Sequence, residues 1–231
     1  MPGVFVVGTD TGVGKTVVAA GLILALRRKG LTVRAHKPVA SGCRREGGRL
    51  VSGDAELLGL AVGMPPGEVC PVLLEEPLAP AVAAERAGVG IDRELLLGNL
   101  REAQRGCDFL VVEGVGGLLV PLAPDVMVID LLAESGLPAL LVSRLSLGTI
   151  NHTLLSLEAL TRRGIDALGI IVNTPDSPAG TVAEQTNPDV IAGLTDAPVW
   201  GVLPYVPDLY GPDGGLERLA EAFGNHIDVA V

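Results

Sequence analysis

Residues 8–16 read GTDTGVGKT and lie between a short apolar run, VFVVG (4–8), and a helix-length segment, TVVAAGLILALRRKG (16–30), that ends in three cations and a glycine. Strand, glycine-rich loop and helix in that order form a phosphate cradle. The glycines let successive N–H groups turn inward, the helix N-terminus favours an anion, a lysine meets the phosphates and a hydroxyl meets magnesium. Gly12, Gly14, Lys15 and Thr16 supply these parts. The strict spacing G-x-x-x-x-G-K-[ST] fails by one residue, because Thr9 stands where the first glycine belongs and Gly8 lies upstream of it. The extra residue widens the loop without removing a functional group.

The pattern continues outward. LTVRAHKP (31–38) reads as a second strand stopped by Pro38, and residues 40–53 as a Gly-rich loop. DAELLGLAV (54–62) opens a helix with Asp54 as its cap. Residues 65–90 show no clear period beyond a short helix near 78–87, whereas 91–106 place Leu96, Leu100 and Ala103 on one helical face. Strands then fall at 109–114, 139–143, 167–173 and 198–204, with helices at 126–135 and 151–164. Strands apolar on both faces, alternating with helices, imply a parallel β-sheet with helices on both faces. The expected fold is α/β and P-loop NTPase-like, a single domain over residues 1–231. Ligands of such sheets bind beyond the carboxyl ends of the strands, where Gly8, Lys37, Glu113, Ser143 and Asn173 fall.

Composition narrows the function. A net charge of -10 and a pI near 4.7 argue against general attraction to nucleic acid or an anionic membrane. Three cysteines without C-x-x-C spacing argue against a disulfide framework and a zinc site, and fit a reducing cytoplasm. The apolar start PGVFVV lacks the basic region of a signal peptide, and no run of about 18 apolar residues spans a membrane. Of 17 basic residues only Lys15, Lys29 and Lys37 are lysines. A lysine in such a background suggests a compact point charge where a planar guanidinium does not fit.

Glu113 ends an apolar strand before a glycine turn and suits magnesium, which prefers hard oxygens from one or two carboxylates, phosphates and water. Asp54 serves either as a second ligand or as a helix cap. Lys37, before Pro38 and close to Ser41, would put a second ammonium beside that of Lys15. LGTINHT (147–153) begins a helix whose N-terminal amides can seat an anion, with Asn151 as a possible cap. Asn173 in IVNTPD ends a strand where a base can lie. Arg44, Arg45 and Arg49 read as a solvated charged loop.

Together GTDTGVGKT, HKPVASG, VVEGVGGLLVPL, LGTINHTLLSLEAL and IVNT, in this order, resemble the ATP-dependent dethiobiotin synthetases, whose phosphate loop carries the same expansion. The resemblance covers most of the chain. It implies closure of the ureido ring of dethiobiotin from 7,8-diaminononanoate, carbon dioxide and ATP, with magnesium, through a carbamate-phosphate mixed anhydride. It implies that Gly12, Val13, Gly14, Lys15, Thr16 and Val17 wrap the ATP phosphates. Thr16, Asp54 and Glu113 become the metal-side ligands, and Lys37 and Lys15 the catalytic cations. Gly114, Val115 and Gly116 join the ATP site, and Asn173, Thr174, Pro204, Tyr205 and Val206 hold the adenine. Thr11, Ser41 and the turn Gly148, Thr149, Ile150 and Asn151 meet the substrate, the turn doing so across a homodimer interface. Two departures stand out: Gly12 and Ala81 occur where some relatives have glutamate and histidine, and the segment after about 205 diverges.

A second reading is a regulatory ATPase of the chromosome-partition or septum-placement kind. Such proteins carry an additional early loop lysine where this chain has Asp10 and Thr11, and some carry a basic membrane helix, whereas DVAV (228–231) is not basic. A glutamine-dependent amide ligase needs an amidotransferase domain for which no length remains.

Overall fold

The protein is described from a computed structural model covering residues 2–177, 180–209 and 214–229. Residues 210–213 of the divergent segment and the last two residues of DVAV lie outside it. The chain opens with β1 (Gly3–Gly8), α1 (Lys15–Arg28) and β2 (Val33–His36). A hairpin of β3 (Arg44–Glu46) and β4 (Arg49–Val51) precedes α2 (Gly53–Val62), α3 (Pro66–Val69), α4 (Pro80–Ala87) and α5 (Arg93–Ala103). β5 (Phe109–Gly117) leads through the ribbon β6 (Pro121–Ala123) and β7 (Val126–Met127) to α6 (Val128–Ser135) and β8 (Ala139–Arg144). α7 (Thr149–Arg162), β9 (Ala167–Asn173), α8 (Val182–Leu194), β10 (Val199–Leu203) and α9 (Gly215–His226) complete it.

Among the described residues β10, β9, β8, β1, β5 and β2 form one sheet in that spatial order, every neighbouring pair parallel. Successive side chains of a strand point to opposite faces, and β1 shows the result. Phe5 and Val7 enter a core with α4, α5, α6, α7 and α8, while Val4 and Val6 enter another with α1, α2 and α9. This double burial makes the strands read as continuous apolar runs. Strand β1 is central: the chain first fills the β5–β2 side and then crosses to β8, β9 and β10. The loop after β1 therefore opens at the point where strand order reverses, the crevice in which such sheets bind ligands.

Several expectations are corrected. The cap of α2 is Ser52, whose hydroxyl accepts from Ala55 N–H, so Asp54 lies inside the first turn and is free for other partners. Helix α7 starts after Gly148, in the left-handed region, so Asn151 is an exposed first-turn residue and not a cap. The charged stretch 44–51 is a hairpin, where Arg44 pairs with Glu46 and Glu56, and Arg45 with Glu75. Helices α3, α8 and α9 have no counterpart in the sequence reading.

His36 closes β2 with 2% of its surface exposed, and its Nε2 has no partner among the described residues. Burial, aided by Arg34, pushes its pKa down to about 4 from 6.5. The folded state therefore holds a neutral imidazole while the unfolded chain protonates near 6.5, so the unfolded state binds more protons between these values. Stability present above pH 6.5 is lost as pH falls toward 4, by about 3 kcal/mol from this residue. Urea midpoints at pH 7.5 and 4.5 are expected to converge in His36→Gln relative to the parent; an unchanged gap would show that His36 is not the group responsible.

Candidate functional site

Loop residues 9–14 join β1 to α1, and Gly14, with φ +94°, caps the helix. A Cβ on Gly14 would stand 2.0 Å from Asn173 Nδ2, so this position excludes any side chain. Asn173 Nδ2 instead donates to Val13 O at 2.9 Å, Lys15 Nζ to Asp10 O at 3.0 Å and Arg144 Nη2 to Gly12 O at 2.8 Å. All three acceptors are carbonyls of the loop.

Beside the loop, three distant segments converge. Lys37, just beyond β2, places Nζ 2.7 Å from Glu113 Oε1 on β5 and 2.9 Å from Asp54 Oδ2 on α2. Thr16 Oγ1 lies 3.0 Å from Asp54 Oδ1 and 2.9 Å from Glu113 Oε1. Lys37 and Glu113 are both 2% exposed at the side chain, whereas Asp54 opens to solvent at 44%. Burial alone would lower the Lys37 ammonium, but Glu113 and Asp54 outweigh it and raise its pKa above the ordinary value. Burial would raise Asp54, yet Lys37 holds that carboxyl below its usual range. In Glu113 burial wins over Lys37 and the carboxyl is pushed up. Lys15 is also dominated by burial, opposed chiefly by Glu113, and its pKa falls to about 8.

The oxygens at this junction fit a magnesium ion. Thr16 has one hydroxyl proton for two carboxylates, and the buried Glu113 Oε2 has no hydrogen-bond partner among the described residues. A hard cation would satisfy these oxygens together. Among the described residues no group of three or more His, Cys, Asp and Glu side chains could hold a metal. A hydroxyl and two carboxylates instead suit a cation that keeps water and phosphate oxygens in its shell.

The other expected residues fall into two sets. Gly114, Val115 and Gly116 continue β5 beside the loop: Gly117 pairs with Gly8, and a Cβ on Gly116 would lie 3.4 Å from Thr11 Oγ1. Asn173, Thr174, Pro204, Tyr205 and Val206 line one cleft of about 390 Å³ with Gly14 and Val17. Ser41 and residues 148–151 make no hydrogen bond to the phosphate loop or to the Lys37 cluster among the described residues. Arg144, at the end of β8, was not singled out from sequence. Its signal was position: a cation at a strand's carboxyl end. A wider cleft of about 1320 Å³ runs between α2 and α9, lined by Leu60, Met64 and Leu216 with the Arg44–Glu56 pair at its edge, and no residue of the phosphate loop or the Lys37 cluster lines it. No helix among the described residues is long and apolar enough to cross a membrane.

Known proteins share this chain's sequence and fold. Residues 2–213 match the family described as an AAA domain. The ATP-dependent dethiobiotin synthetase of Thermodesulfovibrio yellowstonii is 41% identical over 216 residues, 90% of each chain. That of Anaeromyxobacter dehalogenans is 44% identical over 90% of this chain and 92% of its own. That of Bacillus licheniformis is 37% identical over 100% of this chain and 95% of its own. Among solved structures, a ParA family ATPase from Chlorobium tepidum has a TM-score of 0.54 at 17% identity, over 96% of this chain and 90% of its own. The septum site-determining protein MinD of Pyrococcus horikoshii, complexed with Mg-ADP, has a TM-score of 0.53 at 18% identity, over 96% and 86%. At these identities the likeness to the two structures shows the fold alone.

Proposed function

This chain belongs to the AAA-domain family and to the ATP-dependent dethiobiotin synthetases, ligases of biotin biosynthesis, and we propose that it closes the ureido ring of dethiobiotin from 7,8-diaminononanoate, carbon dioxide and ATP. One amine attacks carbon dioxide and loses a proton, giving a carbamate. A carbamate oxygen attacks the γ-phosphorus and ADP leaves. The second amine attacks the carbamate carbon, phosphate leaves, and loss of a proton completes the ring. No protein nucleophile is required; what the path needs is positive charge around anions.

The observation that carries this reading is the convergence of the buried Lys37 and Glu113 with Asp54 and Thr16 beside the phosphate loop. Gly12 to Val17 wrap the phosphates, and Lys15 meets them as a point charge. Thr16, Asp54 and Glu113 would hold magnesium, which when bound draws charge from phosphate oxygens. Lys37 stabilises the carbamate and the phosphoryl group. Gly114 to Gly116 flank the nucleotide, and the Asn173–Val206 cleft receives adenine.

Thr11 and Ser41 contact the diamine, and the 148–151 turn receives its carboxylate from a second copy of the chain. The face that turn shares supports a homodimer: Leu147 is 89% exposed, Leu119 61% and Leu155 56%, and Leu119, Leu155 and His152 line one shallow cleft. The enzyme is read as one domain over residues 1–231, in the cytoplasm.

Purified protein given magnesium, ATP, bicarbonate and diaminononanoate is expected to form dethiobiotin and ADP in equal amounts, detected by mass spectrometry. ATP hydrolysis indifferent to the diamine would sink the reading.

A further inference from the structure

Three side chains grip the phosphate loop by its carbonyls, and Arg144 has no part in the reaction just described. Asp10, Gly12 and Val13 accept from Lys15, Arg144 and Asn173 respectively. A trans peptide is planar, so its C=O and the following N–H point in opposite directions. Turning the Gly12 and Val13 carbonyls toward these donors therefore turns the N–H groups of Val13 and Gly14 the other way. Those two N–H groups have no acceptor in the protein among the described residues. They are the donors a phosphate would meet.

Arg144 is well placed to hold this arrangement. It ends β8, which is paired to β1 on one side and β9 on the other, and Leu145 N–H donates to Asn173 O at 2.8 Å. Its guanidinium makes no ion pair among the described residues, so its charge is not committed to a carboxylate. Gly12 itself takes the left-handed backbone, with φ +72°, and a Cβ there would lie in ordinary contact with Nη2 at 3.5 Å.

We propose that Arg144 is a positioning residue of the phosphate loop, holding the 12–13 peptide so that Val13 N–H faces the nucleotide phosphates. This rests on the loop being the ATP site, and not on the ring-closing step.

Calorimetric titration of the full chain with Mg-ADP and with Mg-pyrophosphate tests it, alongside the melting temperature without ligand. Arg144→Ala is expected to weaken both ligands by roughly tenfold, the worth of one charge-assisted hydrogen bond, and to leave the ligand-free melting temperature unchanged. Arg144→Lys, which keeps the charge and one donor, is expected to recover most of that loss. Parental affinity in Arg144→Ala would overturn the proposal, as would a lowered melting temperature with no recovery in Arg144→Lys. Parent protein that binds Mg-ADP but makes no dethiobiotin would overturn ring closure alone and leave the role of Arg144 standing.

Discussion

Lys37→Ala is expected to lower turnover by roughly a thousandfold or more, while Mg-ATP still binds. The ammonium sits 2.7 Å from Glu113 and 2.9 Å from Asp54, so two carboxylates fix its position. Removing it has a second consequence that sequence alone does not give. Glu113 would be left buried with Oε2 already unpartnered, and breaking a buried pair by deleting one partner costs roughly 3–5 kcal/mol. The ligand-free variant should therefore melt lower than the parent, and magnesium should restore much of the difference by replacing the lost charge. Lys37→Arg should also fail in turnover, because a planar guanidinium cannot occupy the space of a compact ammonium between these carboxylates. Single-turnover phosphate release and melting curves with and without magnesium measure both effects. Turnover within tenfold of the parent would remove Lys37 from the mechanism.

Lys15→Met should separate stability from binding in the opposite sense. Burial depresses the Lys15 pKa to about 8, so below that pH the folded protein holds a charge that the environment disfavours. The unfolded chain keeps the ordinary value of 10.5, and the folded state releases its proton first. Ligand-free stability therefore rises with pH between about 8 and 10.5, and the strain of the buried charge is fully present at pH 7. Lys15→Met removes it, and the ligand-free variant should be more stable at pH 7 by up to about 3 kcal/mol. Nucleotide binding should weaken by roughly two to three orders of magnitude, because a phosphate loses a desolvated cation. In the parent, Mg-ADP affinity should decline as pH rises past 8, since the bound state requires the proton. Urea denaturation and Mg-ADP titration across pH 7 to 9.5 read these effects. A ligand-free Lys15→Met protein less stable than the parent would contradict the account.

The parts of the fold that sequence revealed are those governed by local chemistry. VFVVG, the glycine loop and the helix after it each carry their own signal, and the runs ALLVS and ALGIIVN are apolar throughout because both faces of the sheet are covered. Asp54 shows the limit. Ser52 and Asp54 are both good cap residues two positions apart, and only the Lys37 ammonium, 17 residues upstream and 2.9 Å away in space, decides that Ser52 caps and Asp54 faces the site. The meeting of Lys37 with Glu113 spans 76 residues, a separation over which no periodicity speaks. Resemblance implied a role for each, and the structure shows that the two side chains meet. Helix α9 carries its own signal: Leu216, Leu219, Ala220 and Phe223 recur at helical spacing, and Leu219 and Phe223 are fully buried against α1. Arg144 was hidden by company, one of many arginines whose partner is a backbone carbonyl 132 residues away.

The lysine distribution has a practical outcome for covalent chemistry. Lys15 and Lys37 are buried in the site, while Lys29, at the far end of α1, is exposed. Helix α1 has 14 residues, so Lys29 stands about 21 Å from the phosphate loop. An amine-reactive dye or an activated resin should meet Lys29 first among the lysines, and enzyme tethered through it would present its substrate crevice outward.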